Sequence, residues 1–281
     1  MAGQGERVPL AADDFRKERA LLAPHLFADP GSGDEPPTEL VSQDRWEHVI
    51  DLPTDVLLRT TSHEGRAFDD LANLSSLWTF ITPLEEHQAP FLFEAALLAG
   101  EEFDALAFIG PHGYYRQAFG CLRNALEVLT VGAGFAMTSN QPLFDRWRNG
   151  ETVPFGNACD WLADSAEGKH VDRLAVPSAI FRRKDPQAWI NRLYARLCAY
   201  AHSKAGYNNA DFWESNGPVH VWGILDRLVI ETRETIALGL LLLRLGWGEM
   251  EITEDARRLL TSRDGQWSDL AESIQNFVLN N

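Results

Sequence analysis

The chain has 281 residues, 45% of them hydrophobic and 23% charged, ordinary globular proportions that set aside a disordered chain, a collagen-like fibre and a disulfide scaffold. Its 25 Lys and Arg against 41 Asp and Glu give a formal net charge of −16, so bulk charge opposes loose attraction to nucleic acid or anionic lipid, and any phosphate binding has to be local. Three widely spaced cysteines with no CxxC pair, Cys121, Cys159 and Cys198, fit a reducing compartment, and a cytoplasmic location is the expectation. The N-terminus lacks the apolar core of a signal peptide. The most apolar stretch, residues 236–245, is about half of the ~20 residues a membrane span needs and contains Arg244, so no membrane segment is expected.

In chain order, residues 1–40 carry acidic, Pro and Gly clusters around one helical patch, where Leu21, Leu22 and Leu26 recur and Pro24 interrupts them; they read as a partly ordered arm. Residues 41–88 alternate short apolar groups such as Val49, Ile50, Val56, Leu57 and Leu58 with polar turns, and read as short helices packed on the remainder. From Pro90, the row Phe91, Phe93, Ala95, Leu97, Leu98, Phe103, Leu106 and Phe108 keeps broadly to one helical face before Gly110-Pro111-His112-Gly113 breaks it. A second helix is predicted over 114–137, and residues 141–180 fall into short pieces between Pro142, Gly150, Pro154, Gly156, Gly168 and Pro177. Asp185-Pro186 offers an N-cap and a first-turn proline for a helix running to about residue 204. A long amphipathic helix over 219–246 and two more over 251–262 and 268–279, the last capped by Ser268, close the chain. No period-2 run is long enough for a strand, so the class is all-α: one helical bundle over 89–281 with an N-terminal helical extension.

Chemistry is scarce in the motifs. There is no HExxH, no Cys/His cluster, no GxSxG and no P-loop, so neither a metal nor a cofactor is expected. One segment stands apart: between Lys169 and Lys204 lie eight Lys and Arg against two Asp, a local +6 in a chain of −16. Arg196 sits on the shoulder of an apolar stripe formed by Ile190, Leu193, Tyr194, Leu197 and Ala201, where a half-buried cation needs a carboxylate or a bound anion. His202 lies six positions on, roughly 120° round and ~9 Å along a helix axis. The pair could line one cleft if the helix ends near His202 or if two copies pack about a two-fold axis. Otherwise an arginine so placed serves an ion pair and a histidine at a helix end caps it. On the second helix Arg123 and Glu127 are one turn apart near Arg116, and Glu127 is satisfied by Arg123, by Arg196 across the bundle, or by both.

Arg196-x5-His202 resembles the R-x(4–6)-H pattern of HEPN domains. The earlier run from Tyr115 to Glu127, the later run from Leu193 to His202, and the following Tyr207-Asn208-Asn209 and Ser215-Asn216-Gly217-Pro218 resemble the Abi-like (abortive-infection) branch, over about residues 90–245. The resemblance implies a metal-independent endoribonuclease, as in toxin or phage-defence effectors, acting as a homodimer on RNA held in a local basic cleft. His202 would be general base or acid. Arg196 would stabilise phosphate charge, Glu127 would hold Arg196 with Arg123 and Tyr200 in support, and Arg192, Lys204, Arg182 and Arg183 would bind phosphate. Leu197 departs from the stricter pattern, which has a polar residue after the arginine. The competing expectation is a non-catalytic helical interaction or nucleotide-sensing module with a protein partner, favoured by the acidity, by Leu197 and by tryptophans near loops: Trp147, Trp161, Trp213, Trp222 and Trp247.

Overall fold

The computed structural model describes residues 43–81, 85–175, 179–182, 184–201, 217–252, 254, 257 and 272–279. Among them there is no strand, and ten α-helices carry the chain, so the class is all-α. Contacts divide the chain after Val49. Of the first unit only the start of a helix is described, and everything below concerns the second, Ile50–Asn281. The arm over 1–40, Ser268 and nearly all of the helix expected over 251–262 lie outside the described residues.

The region read as short helices forms two long ones, α1 (Gln43–His63) and α2 (Gly65–Ile81), followed by a single 3₁₀ turn, Glu86–Gln88. Next come α3 (Phe93–Ile109) and α4 (Tyr115–Thr138), within a residue or three of the predicted ends. Their apolar rows face each other: Ala95, Ala99, Phe103 and Leu106 of α3 are buried, as are Ala118, Leu122, Ala125 and Leu129 of α4. The two come close over a glycine, since a methyl group on Gly132 would meet the Ala95 Cβ at 2.6 Å. Leu97, Leu98 and Phe108, read as part of the same face, instead point outward and are exposed.

The α3–α4 turn depends on Gly113, whose φ of +84° is open to glycine and strained for other residues. A side chain there would also run into the backbone of Val219, whose N–H donates to the Gly113 carbonyl at 3.4 Å. The region read as short pieces forms three short helices: α5 (Gln141–Arg148), capped by the Asn140 side chain; α6 (Phe155–Asp164); and α7 (Ala166–Leu174), capped by the Ser165 hydroxyl accepting from Gly168 N–H at 2.8 Å. The Asp172 carboxylate then accepts from the Ile180 and Phe181 amides at 2.8 and 2.9 Å and pins the crossing to the next helix.

That helix, α8 (Trp189–Ala201), begins three residues later than the Asp185 cap and Pro186 start predict. The Asp185 side chain accepts from Gln187 N–H at 2.8 Å, so it closes a turn ahead of the helix. The penultimate described helix, α9 (Ile224–Gly246), is not amphipathic. Every residue from Glu231 to Leu243 is buried, which makes it the central rod of the bundle, and the five residues before it form an irregular strap that ends in a turn at Trp222 and Gly223, φ +77°. The last described helix is α10 (Glu272–Leu279). Helix α4 packs against α3, α6, α8 and α9, while α2 closes the other side of α9 and α3. Among the described residues no helix is long and apolar enough to cross a membrane.

Two glycines give opposite expectations. Gly113→Ala should destabilise the protein by about 2 kcal/mol or more, through strain and the Val219 clash. Gly120→Ala, within α4 and with open space around it, should stabilise by about 0.5–1 kcal/mol. Urea denaturation of the two variants checks both signs.

Candidate functional site

Helix α8 lies between α4 and α9, and a polar cluster sits on each side of it. On the α9 side, Arg196 is clamped by two carboxylates one turn apart. Its Nε donates to Glu231 Oε1 at 3.2 Å and its Nη2 to Glu231 Oε2 at 3.0 Å, and Nη2 also donates to Glu234 Oε2. Arg227 donates to Glu231 Oε1 from one turn earlier on α9, and the Trp189 indole N–H donates to Glu234 Oε1 at 2.6 Å. The Glu231 and Glu234 side chains are 0% and 2% exposed and that of Arg196 is 26% exposed. Two cations and two anions make the cluster formally neutral. Burial weakens the hold of Arg196 on its proton, but the hydrogen bonds and charge of Glu231 and then Glu234 outweigh it and raise its pKa above the usual arginine value.

On the α4 side, Arg123, Glu127 and Tyr194 form a closed triangle. Arg123 Nη2 donates to Glu127 Oε1 at 2.8 Å and to the Tyr194 hydroxyl at 2.9 Å, and that hydroxyl donates to Glu127 Oε1 at 2.5 Å. Phe155 stacks on the Tyr194 ring at 3.9 Å and 12°. This cluster is more open, with Arg123 and Glu127 side chains 27% and 28% exposed. Burial, and next the hydrogen bond to Glu127, push the Tyr194 phenol above its ordinary pKa.

These positions correct the expected support of Arg196. Glu127 does not hold it: Tyr194 and Arg196 are two residues apart, about 200° round the helix, so one faces Glu127 and the other faces α9. Arg123 belongs with Glu127, and Tyr200 is buried, stacking on Phe119 at 4.3 Å with the Arg227 guanidinium 6.0 Å from its ring centroid. Of the residues expected to bind phosphate, Arg182 is exposed 3.9 Å from Asp185, and Arg192 is half-buried with its Nε lacking a partner. His202, Lys204 and Arg183 lie outside the described residues, as does Trp213. Trp147 and Trp161 pack in a small apolar cluster with Phe135 and Phe144, Trp247 packs on the main core, and Trp222 is exposed.

Sequence reading missed Glu231 and Glu234, although two carboxylates three apart in a run of Leu, Ile and Ala signal buried partners. It also missed Glu64, whose side chain is 4% exposed, accepts from Gly223 N–H at 3.2 Å and lies 3.1 Å from His220 Nε2, tying the strap before α9 to the α1–α2 junction. No group of three or more His, Cys, Asp or Glu among the described residues could hold a metal ion. Burial pushes the Cys159 thiol up to about 12, and burial with Glu102 does the same to Cys121, so neither is a ready nucleophile. Compared with known proteins, the chain matches no family model, no curated protein and no solved structure.

Arg196→Ala should cost about 3–5 kcal/mol by chemical denaturation, because it strands buried carboxylates, whereas Arg123→Ala, in the open cluster, should cost about 1–2 kcal/mol. Tyr194 gives a pH signature. Its folded pKa lies above the unfolded value of about 10, so the contribution of its protonated form is whole below about pH 10 and is lost as the pH climbs past it. Above about pH 10, wild-type stability should therefore fall more steeply with pH than that of Tyr194→Phe, as read from urea midpoints.

Proposed function

We propose that the chain is a non-catalytic helical interaction module in which α8 and its clamp are a structural spine. The observation that carries this reading is the pairing of Arg196 with Glu231 and Glu234. To meet a phosphate, the guanidinium has to leave carboxylates with no access to water, and stranding a buried charge costs about 3–5 kcal/mol. A neutral cluster also offers no surplus charge to attract RNA. Arg196, the cation of the α8 segment expected to meet phosphate, is balanced by carboxylates of α9.

The module's docking face is the outer side of α3. Leu97, Leu98, Glu101, Asp104, Ala105 and Phe108 recur there at helical spacing and are exposed, Phe108 by 68%, over ~16 Å of helix. The carboxylates between the apolar side chains and the chain's −16 select a cationic amphipathic helix as the partner and set a second copy, equally acidic, against itself. Three free cysteines fit a cytoplasmic setting for this role. A labelled helical peptide patterned with Lys and Leu should bind the full chain, and a Leu97→Ser/Phe108→Ser double variant with unchanged circular dichroism should bind about tenfold more weakly. Equal binding by the variant, or self-association in its place, overturns the assignment.

RNA cleavage of HEPN type by a homodimer is the second reading, favoured by the quarter of the Arg196 side chain that stays exposed six residues before His202. On the module reading, the purified protein in chelator leaves RNA intact. Cleavage there that is lost in both Arg196→Ala and His202→Ala establishes the second reading and removes the first.

A further inference from the structure

Helix α1 stops at His63 and α2 starts at Gly65, so Glu64 stands alone in the junction between them. The strap ahead of α9 packs on that junction and is held at three amides. Val219 N–H donates to the Gly113 carbonyl at 3.4 Å, Val221 N–H to the Tyr115 hydroxyl at 3.3 Å, and Gly223 N–H to Glu64 Oε2 at 3.2 Å. His220 and Trp222 lie between these points, and their rings meet that of His63, with centroids 5.9 Å from it for His220 and 6.1 Å for Trp222. His63 is exposed, Trp222 is 70% exposed and the His220 side chain is 16% exposed, so two imidazoles open on solvent beside an indole.

The chemistry of the pair follows from the carboxylate behind it. Glu64 Oε1 lies 3.1 Å from His220 Nε2 and accepts its hydrogen, which leaves the lone pair on His220 Nδ1. Among the described residues neither nitrogen of His63 has a hydrogen-bond partner. Two imidazoles bound to one zinc ion, each through a nitrogen at about 2.0–2.1 Å, hold their ring centroids about 5–6 Å apart. The spacing of His63 and His220 falls in that range. A histidine that ligates a metal commonly donates its other ring N–H to a carboxylate, which fixes the ring and makes it a better base, and Glu64 stands in that place behind His220. An anion would meet the Glu64 charge there, and an organic cation on Trp222 would leave both lone pairs unused.

We propose that His63 and His220 together bind a divalent transition-metal ion of the zinc and copper kind, with water completing its coordination. Glu64 is a positioning residue: its two oxygens are taken by His220 and Gly223, and it meets the ion only through the imidazole. With two protein ligands the site is a reversible one, of about micromolar affinity. The ion clips the strap to the α1–α2 junction and so raises the melting temperature. The inference is independent of the docking face on α3.

Calorimetric titration of the full chain with Zn²⁺ tests this, beside Mg²⁺, which prefers oxygen ligands. One Zn²⁺ per chain should bind, and Mg²⁺ should give no comparable binding. His63→Ala, at an exposed position, should weaken Zn²⁺ by at least about tenfold, and so should His220→Gln, which keeps an N–H for Glu64 while removing the imidazole. One equivalent of Cu²⁺ should quench emission in the wild type that Trp222→Phe does not lose. If Zn²⁺ does not bind at about 1 mM, if either histidine substitution leaves its affinity unchanged, if Mg²⁺ binds as well, or if Cu²⁺ quenches wild type and Trp222→Phe alike, the proposal fails.

Discussion

Two carboxylates buried in the central helix of a bundle are the constraint from which the arrangement around α8 follows. Glu231 and Glu234 have no access to water, so each has to find donors inside the protein. Arg227 reaches Glu231 from one turn earlier on α9, but the remaining demand comes from outside α9, and α8 meets it with Arg196 and the Trp189 indole. Those two contacts fix both the register of α8 along α9 and its rotation. With Arg196 turned to α9, Tyr194 is turned to α4, where Arg123 and Glu127 receive it. One clamp therefore sets the geometry of a second, and α8 is held on two sides by directional bonds as well as by Leu193 and Leu197 in the core.

Such a network contributes more to uniqueness than to net stability. The desolvation of two carboxylates and two guanidiniums consumes much of the attraction among them, and an apolar α9 of equal volume would be as stable or more so. What the charges exclude is sliding: Leu and Ile tolerate several registers between packed helices, whereas a bidentate arginine between two carboxylates tolerates one. The close approaches at Gly132 and Gly246, where added methyl groups would strike Ala95, Leu92 and Ala136, act in the same direction by sterics.

What was legible in the residues was whatever the local chain decides. Helix α4 was readable nearly to the residue because a single apolar row runs from Tyr115 to Leu129 with a turn signal before it. The start of α8 was misplaced because Asp185 has two local uses, capping a helix or closing a turn, and propensity does not choose between them. Helix α9 reads as amphipathic in the sequence because Asp226, Arg227, Glu231, Arg233, Glu234 and Arg244 look like a solvent face, and nothing in a chain by itself distinguishes a charged residue facing water from one facing another helix. The outward Leu97, Leu98 and Phe108 are the same ambiguity in reverse. An apolar residue can be counted in sequence, but the side of the helix that the protein covers is set by neighbours tens of residues away.

The charge arithmetic meets the same limit. A local +6 in a chain of −16 invites a basic cleft, and the reasoning is sound only if those cations face outward. Three-dimensional pairing splits the eight residues of that count. Arg196 is cancelled by α9 carboxylates from beyond the segment, Lys169 donates to the Asp164 carbonyl, and Arg182 stands in solvent near Asp185. The field that a ligand meets is the residue left after internal pairing, and that residue depends on which helix supplies each counter-charge.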